Sequence, residues 1–284
     1  VAGTWRECVI GSKLRVSRHS NEHCRSADMA QDQTEITDRG EWTTIDLDGH
    51  PCQIYEPQVP SQHGYTVLYL HGRYQGTPAD RPKMMEHFAR NGLRIIAPLS
   101  RRSWWADRLC EDFDPNITAE KYLLHKVLPY MAERWQCNPP QLALMGASMG
   151  GQGALRLAYK YPNLFPVVAS FFPAIDFQIR IEEGDRILSQ MYRDAEDARQ
   201  DTATLHIHPL NWPRHQWFCC DPADVRWHDS IDRLRMKLYS LGVPYDCDLE
   251  TSAGGHTWEY VEHMTETAID FLMESLEQER LRVV

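Results

Sequence analysis

The chain has 284 residues, and several absences narrow its reading. Lys and Arg nowhere gather into a block. There are 30 of them against 40 Asp and Glu, giving a net charge of −10, which describes an acidic, solvated surface. Nucleic acid is therefore not an expected partner. No stretch approaches the roughly eighteen uninterrupted apolar residues of a membrane-crossing helix. The opening VAGTWRECVIGSKLRVSRHS also lacks an apolar run of signal-peptide length. A soluble, cytoplasmic protein without a membrane partner is the expectation. The eight cysteines include no C-x-x-C pair, so the common zinc and dithiol patterns are missing. Cys219 and Cys220 end an apolar run and read as core thiols. No internal repeat or low-complexity linker interrupts the chain.

What is present is enough for a large core, with 42% hydrophobic residues and 10% aromatics. Residues 1–40 are polar and irregular and read as an N-terminal extension or arm, leaving one domain over 41–284. From WTTIDLDGHPCQIYEP onward, short apolar runs alternate with helical patterns. TVLYLHG, LRIIAPL, LALMG, VVASFF, QWFCC and CDLETS read as strands. PADRPKMMEHFARNG reads as a helix stopped by Gly92, and Thr118 to Trp135 places Leu124, Val127, Leu128, Met131 and Trp135 on one helical face. Further helices are expected from about Ser230 to Leu241 and after His256. This alternation predicts an α/β fold, with a mostly parallel central sheet and helices on both faces. Residues 176–215 are rich in charge, His and Trp, have no clear strand, and read as a small cap or insertion.

The most informative stretch is LALMGASMGGQGALRLA, Leu142 to Ala158, which carries four glycines and one serine between a strand and a helix. Gly146-Ala147-Ser148-Met149-Gly150 fits G-x-S-x-G. In such a corner the serine takes strained backbone angles, and small neighbours let strand and helix pass closely. A glycine-rich turn with an incidental serine is the plainer alternative, but the flanking strand and helix favour a nucleophile. A phosphate loop would need a Lys-Ser/Thr ending that is missing here.

A serine nucleophile needs a base, and the base needs an acid. His256 in ETSAGGHTWEY follows the last strand and a tight glycine turn and precedes a helix, which makes it the expected base. After QWFCC, DPADVRWHDS offers Asp221, Asp224 and Asp229. Asp221, at the strand end before Pro222, is placed to cap or turn the loop. Asp224 is favoured as the acid because the chain can double back there toward His256. LYLHGRYQG supplies a second amide for an oxyanion, so the N–H groups of Arg73 and Met149 are the expected donors. His71 reads as a buried structural histidine. Trp104-Trp105 fits a pocket wall or plain packing equally well, and Asp112 and Asp114 read as caps of the helix near Thr118. His206-Ile207-His208 lacks the carboxylates of a metal site.

YLHG, GASMGGQGALRLA, FFPAIDF, DPAD and GGHTWEYV together resemble the esterase D-like branch of the α/β hydrolases, across about residues 64 to 275. That branch includes S-formylglutathione hydrolases, acetyl-xylan and feruloyl esterases and mycolyltransferases. The resemblance implies an α/β-hydrolase fold and a triad of Ser148, Asp224 and His256, with no metal or organic cofactor and a small-molecule ester as substrate. His71-Gly72-Arg73-Tyr74 departs from the Ser-Gly-Leu-Thr-Cys oxyanion loop usual in formylglutathione hydrolases. An acyltransferase using the same triad, a formylglutathione-type thioesterase and an inactive binding module are the other readings. The oligomeric state stays open, a homo-oligomer included.

Overall fold

A computed structural model describes residues 40–282, so the expected arm falls outside the described residues except for Gly40. The described chain opens on a hairpin, β1 (Glu41–Leu47) and β2 (His50–Glu56). Its two-residue turn is Asp48-Gly49, both at positive φ, and the pairing runs from Leu47↔His50 to Glu41↔Glu56. Asp-Gly is the sequence that such a turn favours, because its twist matches that of the flanking strands.

The remaining strands are β3 (Thr66–Leu70), β4 (Arg94–Pro98), β5 (Leu142–Ala147), β6 (Val167–Phe171), β7 (His215–Cys219) and β8 (Asp246–Asp248). They form one sheet in the order β1-β2-β4-β3-β5-β6-β7-β8. Pairing is antiparallel at β1–β2 and β2–β4 and parallel at every other step. Every residue of β3, β5 and β6 is buried, as strands covered on both faces require. This is an α/β-hydrolase fold. The last strand is shorter than CDLETS suggests, because Asp248 turns the chain by accepting from the amides of Glu250 and Thr251.

Helix α1 (Pro82–Arg90) ends before Gly92, as expected. Next come α2 (Ala119–Tyr122), a π-helical turn over Leu123–Val127 and α3 (Leu128–Trp135), which run in succession. The cap of α2 is Thr118 itself, whose hydroxyl accepts from the Lys121 amide at 3.2 Å. This corrects the assignment to Asp112 and Asp114. Asp112 pairs instead with Arg102, and Asp114 closes a turn through the Asn116 and Ile117 amides and meets His50. Helix α4 (Met149–Lys160) follows β5 directly. Between β6 and β7 lie α5 (Gln178–Glu182), α6 (Arg186–Met191), α7 (Ala195–Arg199) and a 3-10 turn, Ala203–His206. The chain closes with α8 (His228–Leu241) and α9 (Trp258–Leu281). Among the described residues, no helix is long and apolar enough to cross a membrane.

One buried charge cluster ties α4 to its surroundings. Arg156, 1% exposed, bonds Glu120 through Nη1 and Asp201 Oδ1 through Nη2 at 2.5 Å, while its Nε donates to the Asp201 carbonyl at 3.0 Å. Lys160 and Tyr161 complete Glu120 at 2.5 and 2.6 Å. Tyr192 and His206 complete Asp201 at 2.8 and 3.1 Å, which is the pairing that occupies the first of the two histidines in His206-Ile207-His208. Desolvating three charges is costly, and the arrangement holds only while all of them are present. Arg156→Met removes the cation that two buried carboxylates share, and urea unfolding of this variant is expected to show a loss of about 3–5 kcal/mol. A loss below about 1 kcal/mol would mean that the cluster does not brace α4.

Candidate active site

Strand β5 ends and α4 begins around Ser148, which takes φ 57° and ψ −118°. Such backbone is strained for any residue with a side chain, at a cost of about 1–3 kcal/mol, and persists only where its surroundings impose it. Here the Ser148 amide donates to Phe171 O at 3.0 Å, while its carbonyl accepts from Gln152 and Ala174, each at 3.0 Å. The corner also needs glycine at 150, because a Cβ there would overlap the Leu70 carbonyl oxygen. The sequence folds this way because no larger residue allows α4 to leave so close beneath β3.

His256 lies in the loop between β8 and α9. Its Nε2 is 2.9 Å from Ser148 Oγ and its Nδ1 is 2.6 Å from Asp224 Oδ2. Asp224 is 4% exposed, and its other oxygen accepts from the Arg226 and Trp227 amides at 3.2 and 3.3 Å. With that oxygen occupied by donors, the carboxylate keeps an acceptor aimed at the imidazole, fixing the tautomer that leaves Nε2 free to receive a proton. The Phe172 ring supports the imidazole from the side, with centroids 4.1 Å apart. Of the three aspartates after β7, the structure therefore brings Asp224 to His256, while Asp229 sits exposed in the first turn of α8.

Asp221 is fully buried and binds the loop that carries His256. Its Oδ2 accepts from the Ala253 and Gly255 amides, both at 2.7 Å, and its Oδ1 from Ser252 Oγ at 2.9 Å and the Ala223 amide at 2.7 Å. Burial alone would raise its pKa, but the Ala223, Gly255 and Ala253 amides and the Ser252 hydroxyl outweigh that and bring it down to about 2. The strand-end position was legible in the sequence. The crossing to residues 252–255 was not, since nothing local in either segment signals the other.

The loop after β3 passes beside the serine, with Gly72 packed against the Ala147 carbonyl and the Ser148 Cβ. His71 anchors this loop. Its Nε2 accepts from the Ser100 amide at 2.9 Å, so Nδ1 donates to the Gly72 carbonyl at 2.7 Å. Complete burial lowers its pKa to about 4, so the ring is neutral. The adjacent tryptophans separate in role. Trp105 is buried and donates from Nε1 to the His71 carbonyl at 3.1 Å, whereas Trp104 lines the cleft. That cleft, about 490 Å³, contains Ser148, His256, Arg73 and Met149, with apolar walls that include Phe172, Trp227 and Trp258. Among the described residues, no group of His, Cys, Asp or Glu is spaced to hold a metal ion.

A family model described as "Putative esterase" matches residues 50–263. The chain belongs to this esterase family. It is a carboxylic ester hydrolase. A search of curated proteins finds no match. Among solved structures, the esterase is similar to a ferulic acid esterase, with 15% identity, TM-score 0.66, and coverage of 83% of this chain and 97% of that one. It is also similar to a fluorophosphonate-binding serine hydrolase of Staphylococcus aureus, with 15% identity, TM-score 0.65 and coverage of 82% and 98%. An S-formylglutathione hydrolase of the same organism gives 14% identity, TM-score 0.65 and coverage of 82% and 98%. At these identities the likeness shows the fold alone.

Replacing Asp221 by Asn turns one of the two oxygens, each of which accepts two hydrogen bonds, into an NH2 group that cannot accept. Asp221→Asn is expected to lower kcat for an ester substrate by about tenfold or more, with a smaller change in KM, because the His256 loop loosens. The folded pKa of about 2 lies below the ordinary 3.8, so the carboxylate stabilises the fold above about pH 4, and this contribution is lost as pH falls toward 2. Unfolding followed between pH 5 and 2 should show this step in the natural protein and not in the Asn variant. Unchanged turnover and superimposable acid profiles would remove Asp221 from the account.

Proposed function

We propose that the esterase is a serine hydrolase acting through Ser148, His256 and Asp224, by an acyl-enzyme intermediate, on small or short-chain acyl esters. Ser148 Oγ attacks the ester carbonyl while His256 Nε2 takes its proton, and Asp224 stabilises the imidazolium that forms. The oxyanion of the tetrahedral intermediate is held by the amides of Arg73 and Met149. Met149 is the first residue of α4, so its N–H is one of the donors that the helix leaves without an internal partner. The leaving alcohol receives the proton from His256. Water then attacks the acyl group with His256 again as base, and collapse of the second intermediate releases the acid and returns the proton to Ser148.

The observation that carries this reading is the continuous hydrogen-bonded line Ser148–His256–Asp224, at 2.9 and 2.6 Å, on the floor of an aromatic cleft. A nucleophile, an oriented base and a buried acid in that order are what acyl transfer requires. The cleft volume of about 490 Å³ fits a small ester.

Ser148→Ala should reduce turnover of p-nitrophenyl acetate by about a thousandfold or more, with circular dichroism unchanged. Product analysis should find free acid in the presence of added alcohols and sugars. Full activity of Ser148→Ala would refute the assignment, and acyl transfer to an added alcohol in preference to water would reassign the enzyme as an acyltransferase.

A further inference from the structure

Arg73, Arg180 and Arg226 all line the cleft that holds Ser148. They come from separate parts of the chain: the loop after β3, helix α5 and the loop after β7. Two carboxylates that do not line the cleft connect them. Asp185 Oδ2 lies 3.5 Å from Arg73 Nη2 and 3.5 Å from Arg180 Nη2. Glu183 Oε2 accepts from Arg180 Nη1 at 2.6 Å and from Arg226 Nη1 at 2.5 Å. The result is an alternating run, Arg73–Asp185–Arg180–Glu183–Arg226, with a cation at each end and three cations to two anions.

The anions in this run are also partly committed elsewhere. Asp185 Oδ1 caps α6 by accepting from the Ile187 and Leu188 amides at 3.1 and 3.3 Å. Of the described residues that line the cleft, the acidic one is Asp224, and its oxygens face His256 and the Arg226 and Trp227 amides. The cleft of an acidic protein is thus bordered by an excess of guanidinium. A guanidinium has five N–H donors in a planar fork, and pairing with Asp185 or Glu183 uses only some of them. Held from behind, these side chains lose less rotamer freedom when a ligand arrives, and the aromatic walls strengthen a charge-assisted bond by excluding water.

Resting on the reading of Ser148 as nucleophile, we propose that the preferred substrates are esters carrying a carboxylate, which accepts from the guanidinium N–H groups of Arg180 and Arg226 that pairing with Glu183 leaves over. The carboxylate sits on either the acyl or the alcohol side of the ester. The overall charge of −10 does not oppose this, because repulsion from distant surface groups is screened within about 8 Å at physiological salt.

The test compares two charged–neutral pairs: p-nitrophenyl hemiglutarate with p-nitrophenyl pentanoate, and 4-acetoxybenzoate with its methyl ester. Each rate is divided by that of hydroxide hydrolysis to remove intrinsic reactivity. The first pair reports a carboxylate on the acyl side and the second one on the alcohol side. In at least one pair, kcat/KM should favour the charged member by about ten- to a hundredfold, shrinking as salt rises. Arg180→Gln and Arg226→Gln should each bring that ratio toward one, and Arg226→Lys should restore part of it. Binding is read independently on Ser148→Ala by quenching of tryptophan fluorescence, since Trp104, Trp227 and Trp258 line the cleft. There 4-acetoxybenzoate or glutarate should bind about tenfold more tightly than its methyl ester or dimethyl ester. Equal affinities together with ratios at or below one in both pairs overturn the proposal and leave the serine mechanism standing. Hydrolysis that survives Ser148→Ala overturns the mechanism, and the binding comparison then still decides the arginine site.

Discussion

The site depends on one strained peptide corner. Ser148 at φ 57° lifts its hydroxyl off the end of β5, and three backbone hydrogen bonds, one to the Phe171 carbonyl and two from the Gln152 and Ala174 amides, hold it there. The strain is tolerable because the corner is clamped between fully buried strands, where relaxation would break β5–β6 pairing or drive α4 into the Leu70 carbonyl. The same geometry places the first turn of α4, with its free amides, next to the hydroxyl. The proposed nucleophile and half of the proposed oxyanion site thus follow from one backbone conformation.

Two aspartates three positions apart divide the remaining work. Asp224 faces the imidazole, and Asp221 grips the backbone of the loop that presents it. Asp224 N also donates to the Asp221 carbonyl at 2.9 Å, so one short turn at the end of β7 sets both the carboxylate facing His256 and the one that holds its loop. This explains why Asp221 is so strongly biased toward its ionised form. A carboxylate receiving three amides and a hydroxyl is far better satisfied than a carboxylic acid would be. The buried Arg156 cluster plays a comparable part for α4, joining the helix to Glu120 ahead of it and to Asp201 between β6 and β7.

Much of this was legible in the sequence wherever the signal is local. The strand-to-helix corner shows itself in the clustered glycines around Ser148, and the glycine turn before His256 marks a loop followed by a helix. The fully buried strands appear as short, mostly apolar runs. What was not legible depends on contacts between distant segments. Asp221 and residues 252–255 lie about thirty positions apart, and Glu183 joins Arg180 to Arg226 across more than forty. Trp104 and Trp105 are both buried, yet Trp104 lines the cleft while Trp105 bonds the His71 carbonyl; composition cannot distinguish them. Asp112 and Asp114 read as helix caps where Thr118 takes that role, because Asp and Thr both suit it and tertiary pairing of the two aspartates with Arg102 and His50 decides between them.

The central claim is that Ser148 is the nucleophile, activated by His256. Incubation with a fluorophosphonate followed by intact-mass and peptide mapping tests it most directly. The account predicts one adduct per chain, on the peptide containing Ser148, with labelling slowed severely in His256→Ala. An adduct on a different residue, or an active esterase that takes no label, would contradict it.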